Sequence, residues 1–219
     1  MVCITFSFSF VSLLYHRLVR TSAQGNCLCY NRRIEKEQNM EIWNAYTADG
    51  QLTDHTLARG QSIPNGLYHL VVECIVRHHD GSTLFMKRDS TKPSYPDYYE
   101  ATAGGSALFG EIAEQAILRE VREETGIELT ATQLRHHTHF VAHDDQCLFH
   151  CYWAETDWDK STIQLQANET SNFIWVPQEK LKEFLENEQV IPRQKGYVES
   201  LFLEQEKCKN ENETQQNMR

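Results

Sequence analysis

This chain has no apolar run long enough to cross a bilayer. The most apolar stretch is Val2 to Tyr15, well short of the roughly 20 residues that a spanning helix needs. No Lys or Arg precedes it, and His16, Arg17 and Arg20 follow, so it is a poor secretory signal. No membrane partner is expected. Positive charge is also scarce: 21 Lys and Arg against 31 Asp and Glu give a net charge of −10, which argues against nucleic acid as a partner. Cysteine lacks order. The seven, at 3, 27, 29, 74, 147, 151 and 208, are odd in number and irregularly spaced, and Cys27-x-Cys29 is too short for the common zinc pairs. Reduced thiols in a cytoplasmic protein are the expectation. There is no internal repeat, no helix-turn-helix and no basic C-terminal block. At 219 residues the chain fits one domain with additions.

Three parts are expected. Residues 1–39 carry five Lys/Arg against two Glu and contrast with the acidic remainder. Glu35-Lys36-Glu37-Gln38 can be encoded by a purine-rich run like a bacterial ribosome-binding site, and Met40-Glu-Ile-Trp43 then reads as a start. Residues 1–39 are therefore expected to be a non-native or disordered extension, with a membrane-associating arm as the alternative, residues 40–205 the domain, and 206–219 a disordered polar tail. Within the domain, Met40–Tyr46 and Thr53–Ala58 suggest a hairpin about Asp49-Gly50. His69–Val76 suits a buried strand, and Asp80-Gly81 turns it into Thr83–Arg88. Gln133–Val141 and Gln146–Ala154 read as strands joined by His143-Asp144-Asp145, followed by a strand at Phe173–Val176. Pro177 opens a helix through Leu185, and Pro192–Glu204 is read as a last helix.

The informative stretch runs from Gly105 to Ile127. Its skeleton is Gly105, five residues, Glu111, seven residues, then Arg119-Glu120-Val121-Arg122-Glu123-Glu124-Thr125-Gly126-Ile127. Seven of its positions are fixed by type, and a random start matches all seven about once in a billion. Ala113, Ala116, Ile117 and Val121 recur at helical steps, which predicts a helix over Glu111–Glu124 with Gly126 as its stop. Glu120, Glu123 and Glu124 then share one face, at a spacing where like charges repel. That face has no Lys, and Arg119 is read as adjoining the cluster without sitting in its middle. Three hard oxygen donors on one turn suit Mg2+ or Mn2+ beside a phosphate ligand. The bland alternative is a solvated acidic helix; the glycines and Glu111 at fixed offsets weigh against it.

These residues resemble the Nudix box at every defined position. The resemblance implies an α/β/α sandwich with a mixed β-sheet, the box forming loop, helix and loop. It implies Mg2+-dependent hydrolysis of a small-molecule diphosphate, typically a nucleoside diphosphate linked to another group. By position, Glu120, Glu123 and Glu124 take the metal-ligand and water-activating roles. The Gly105 carbonyl adds a ligand, Arg119 orients the glutamates and Glu111 acts from behind them. Relatives differ in the group that activates water, so Glu120 and Glu123 compete with Glu169 and with Asp144 or Asp145. A homodimer is left open.

Beyond the box, Tyr68-His69-Leu-Val-Val, Lys87-Arg88, Lys92, Pro96 and Gly104-Gly105 resemble the subfamily around type 1 isopentenyl-diphosphate isomerase. Arg88 and Lys92 match that subfamily's diphosphate contacts. The isomerase's cysteine position is Gly104 here, and two of its metal histidines are Ser106 and Ser62; His69 alone remains. Conversely, the full R-E-x-x-E-E pattern is one those isomerases lack. The reading is an isomerase-like Nudix hydrolase, with isomerase activity or a non-catalytic ligand sensor as alternatives. His69 is read as a core histidine or a metal ligand. Tyr95, Tyr98 and Tyr99 either stack on a base or pack under the box.

Overall fold

The computed structural model describes residues 40–203, so the expectations for 1–39 and for the tail lie outside the described residues. Strands β1 (Ile42–Tyr46) and β2 (Leu52–Ala58) form the expected antiparallel hairpin. The main sheet contains β3 (His69–His78), β4 (Thr83–Arg88), β5 (Tyr99–Glu100), β6 (Thr102–Ser106), β7 (Leu134–Ala142), β8 (Cys147–Thr156) and β9 (Thr170–Val176). Strand β3 is its organiser. It runs parallel to β8 along its whole length and antiparallel to β6 along residues 71–75. At its far end it turns into β4, which pairs with β5 and β9. The sheet is therefore mixed.

Period-two alternation builds two cores from one sheet. Leu70, Val72, Cys74 and Val76 of β3, with Leu84 and Met86 of β4, face helix α1 (Ala113–Thr125). Ile75 and Phe85 face the opposite layer, α2 (Gln178–Asn187) and α3 (Pro192–Val198). The layers are helix, sheet, helix. Ala116, Ile117 and Val121 of α1 are fully buried, which fixes the rotation of that helix and hence where its glutamates point. Truncating Ile117 to Ala costs about 2–5 kcal/mol for a site of this kind. Trp43, Ala45 and Leu57 form a smaller cluster holding the hairpin, and Trp43 stacks on His69 at 4.3 Å. Among the described residues no helix is long and apolar enough to cross a membrane.

Three expectations change. The helix begins at Ala113, not Glu111. Gly110 has φ +86° and closes a turn in which Glu111 N–H donates to the Leu108 carbonyl, leaving Glu111 outside. Strands β5 and β6 lie where no element was expected. The last helix stops at Val198 and widens into a π-turn over Glu199–Leu203.

Candidate active site

Helix α1 presents its three glutamates to β6, and two glycines set how closely they approach. A Cβ on Gly105 would lie 2.5 Å from Glu120 Oε1 and 2.7 Å from its Cδ. Only the bare backbone leaves that carboxylate its place. Gly104 N–H donates to Glu124 Oε2 at 3.0 Å. A Cβ on Gly104 would sit 2.1 Å from the Val72 carbonyl oxygen of the neighbouring strand, so this position admits no side chain. At the far end of α1, Gly126 takes φ +77° and donates to the Arg122 carbonyl, the left-handed ending that glycine allows.

Arg119 stands among the carboxylates, correcting the reading that it merely adjoins them. Its Nη1 donates to Glu120 Oε1 at 2.8 Å and Glu123 Oε2 at 3.2 Å. Its Nε and Nη2 grip Glu111 at 2.8 and 2.9 Å, and Nη2 also reaches the Ser106 carbonyl. Glu111 in turn accepts from Leu108 N–H at 2.8 Å. The bidentate Arg119 hydrogen bond holds the Glu111 carboxyl below its usual range, and Glu111 raises the Arg119 guanidinium in return.

The opposite wall is basic. Arg88 pairs with Glu100, and its Nε donates to the Ser94 carbonyl at 3.0 Å. Lys92 pairs with Glu169, which sits just ahead of β9. Glu41 and Arg59, paired at 2.6 Å, close the side toward the hairpin. These groups and the box residues line one cavity of about 420 Å³. The sequence reading missed Glu41, Arg59 and Glu100, whose positions only the fold brings in. Asp144 and Asp145 are exposed in the β7–β8 turn and do not line the cavity. His69 is buried beneath Trp43, 3.7 Å from Cys147 Sγ, and also stays out of it. Tyr99 packs on Phe184, while Tyr95 and Tyr98 pair with each other.

The cavity carries uncompensated negative charge. Six carboxylates line it (Glu41, Glu100, Glu120, Glu123, Glu124, Glu169) against four cations (Arg59, Arg88, Lys92, Arg119). Burial pushes the Glu124 carboxyl well above its ordinary range, and Glu100, Glu120 and Glu169 push it further. Burial also raises Glu120 and Glu100, the first offset by Arg119 and the second by Arg88. Clustered carboxylates resist ionising together unless a cation joins them. Among the described residues no three donor side chains already meet at one point, and Arg119 hydrogen-bonds both Glu120 and Glu123. The donor set itself, all hard oxygen, fits Mg2+ or Mn2+.

The NUDIX domain family model matches residues 67–197. An uncharacterized Nudix hydrolase of Listeria innocua is 36% identical over 156 residues, covering 70% of this chain and 89% of that protein. Isopentenyl-diphosphate Delta-isomerase of Salmonella heidelberg is 34% identical over only 62 residues, 28% of this chain and 34% of that protein. Among solved structures, a Deinococcus radiodurans protein shares the fold with a TM-score of 0.58 at 20% identity, covering 74% of this chain and 99% of that one.

Proposed function

This chain belongs to the NUDIX domain family, and on that premise we propose that its cavity cleaves a diphosphate linkage in a small molecule with the help of Mg2+ or Mn2+. The observation that carries the reading is the facing of two walls: Glu120, Glu123 and Glu124 on one, Arg88 and Lys92 on the other, in a single cavity. In this reading the three glutamates and the Gly105 carbonyl hold the ion. When bound, the ion neutralises diphosphate charge and acidifies water.

The chain's own groups account for the rest. Arg88 offers a planar fork and Lys92 a point charge to phosphate oxygens. Both are held by carboxylates, Glu100 and Glu169, so an incoming phosphate competes for partners that are already oriented. As Lys92 turns to phosphate, Glu169 loses its cation and becomes a proton acceptor on the cavity wall. Glu123, the most exposed of the three box glutamates with 47% of its side chain accessible, is the other acceptor. Water oxygen attacks phosphorus, its proton passes to one of these carboxylates, and the phosphate leaving group departs. Arg119 is a positioning residue: it fixes Glu120 and Glu123 against Glu111.

Isomerisation is the second reading, supported by the short isomerase match. It requires a thiol at position 104, where a Cβ meets the Val72 carbonyl at 2.1 Å. Cys could not enter without moving β3 and β6 apart, and this weighs against the isomerase. A ligand sensor would bind without turnover. The test is Glu123→Gln and Glu124→Gln assayed against the parent on one diphosphate substrate. Rates lower by at least a hundredfold with an intact fold are expected. Parental rates in both variants would remove the proposed roles.

A further inference from the structure

We propose that His136, His139 and His150 form a transition-metal site on the outer edge of the sheet, apart from the glutamate cavity, for a divalent ion of the Zn2+ class. Their ring centres are nearly equilateral: 5.8 Å for His136–His139, 5.8 Å for His139–His150 and 5.9 Å for His136–His150. The centre of such a triangle lies about 3.4 Å from each ring centre. Zinc at its usual distance from an imidazole nitrogen lies about 3.2 Å from the ring centre. The rings must turn to aim their nitrogens inward, because among the described residues no donor trio converges as they stand. The ring-centre spacing itself is within a few tenths of an ångström of what three imidazoles on one ion need.

A β-bulge makes the triangle. His139 lies opposite His150, and His136 lies opposite Tyr152, with the register shifting between His136 and Thr138. Residues three apart on a regular strand point to opposite faces. Here the extra residue, His137, absorbs the shift, so His136 and His139 share the face of His150. Bulges commonly re-aim a side chain in this way. His137 turns to the other face, against Tyr197 and Ser200.

The surroundings suit a cation. Glu114, exposed on the first turn of α1, accepts from Tyr152 Oη at 3.4 Å, and the Tyr152 ring lies 5.4 Å from His136. It supplies negative charge beside the triangle, and water completes the coordination. Imidazole donors select Zn2+, Ni2+ or Cu2+ over Mg2+. Strand β7 ends the sheet, so the ion would tie an edge strand to β8.

The test is calorimetric titration of the full chain with ZnCl2, with Mg2+ saturating the glutamates. One equivalent binding in the micromolar range is expected, weakened at least tenfold in His139→Gln and in His150→Gln. Co2+ absorption provides a second readout, its visible bands lost in the same variants. Mg2+-dependent hydrolysis should be unchanged in both, as neither lines the cavity. Absence of Zn2+ binding in the parent overturns the proposal. So does binding that is identical in both variants, which would place the zinc on cysteines or glutamates.

Discussion

Replacing Gly105 by Ala separates catalysis from folding. The new Cβ would meet Glu120 Oε1 at 2.5 Å, Cδ at 2.7 Å and Oε2 at 2.9 Å. All three atoms belong to the end of a flexible side chain, so the carboxylate yields and the backbone stays. Reaching ordinary contact at 3.4 Å requires a shift of about 1 Å, which also breaks the 2.8 Å hydrogen bond from Arg119. A misplacement of about 1 Å in a reacting group costs roughly a hundredfold, or about 2.7 kcal/mol of barrier. Gly104→Ala meets the Val72 carbonyl at 2.1 Å and the Glu73 Cα at 2.9 Å. Backbone cannot yield so easily, and overpacking of this kind costs about 1–3 kcal/mol or more. Thermal melting and turnover of a diphosphate substrate are the paired assays. Gly105→Ala should melt near the parent with kcat down about a hundredfold, while Gly104→Ala should melt several degrees lower. Parental kcat in Gly105→Ala would refute the claim that Glu120 must hold its present place.

Glu124→Gln should stabilise the metal-free protein at neutral pH. Its folded carboxyl is raised above the unfolded value, so the stability of its protonated form is present at acid pH and lost as pH rises through the raised value. Melting in EDTA from acid to neutral pH should show that loss in the parent and a flatter profile in the variant. Saturating Mg2+, at a hundred times its Kd, should stabilise the parent by about 2.7 kcal/mol, or about 5–10 °C, and the variant by much less; scanning calorimetry reads the difference. Lys92→Ala should raise KM about tenfold, the worth of one charge-assisted phosphate contact, with little change in melting because Glu169 is 44% exposed. Arg119→Lys should lower kcat at least tenfold in steady-state assays, since an ammonium cannot span Glu111, Glu120 and Glu123 together.

Local periodicity was enough for much of the fold. The apolar run of β3, the helical steps of α1, and the turns at Asp49-Gly50 and Asp80-Gly81 are written within short windows. Strand β6 is not: Thr-Ala-Gly-Gly-Ser has little strand propensity beyond its threonine and becomes a strand because β3 offers five residues of register. Glycine was legible as a motif position but not as a close approach, since Gly104 and Gly105 are constrained by Val72 and Glu120. The site shows the same division. The glutamate face followed from helical geometry alone, whereas Glu100 and the hairpin residues Glu41 and Arg59 enter only through tertiary pairing. Arg119 was misplaced because a helical wheel fixes its Cα direction, not the reach of a side chain that bends back to Glu111. His69 sits in a run whose burial was legible, but its partner Trp43 lies on another sheet.

The most direct test is product analysis of the purified chain on a panel of nucleoside triphosphates, ADP-ribose, dinucleotides and prenyl diphosphates, with Mg2+ and with EDTA. Phosphorus NMR resolves hydrolysis products from isomerised or unchanged substrate. The account predicts cleavage of the diphosphate linkage in at least one compound, dependent on Mg2+ and lost in Glu123→Gln. Binding without turnover across the panel, or turnover unaffected by EDTA, would contradict it.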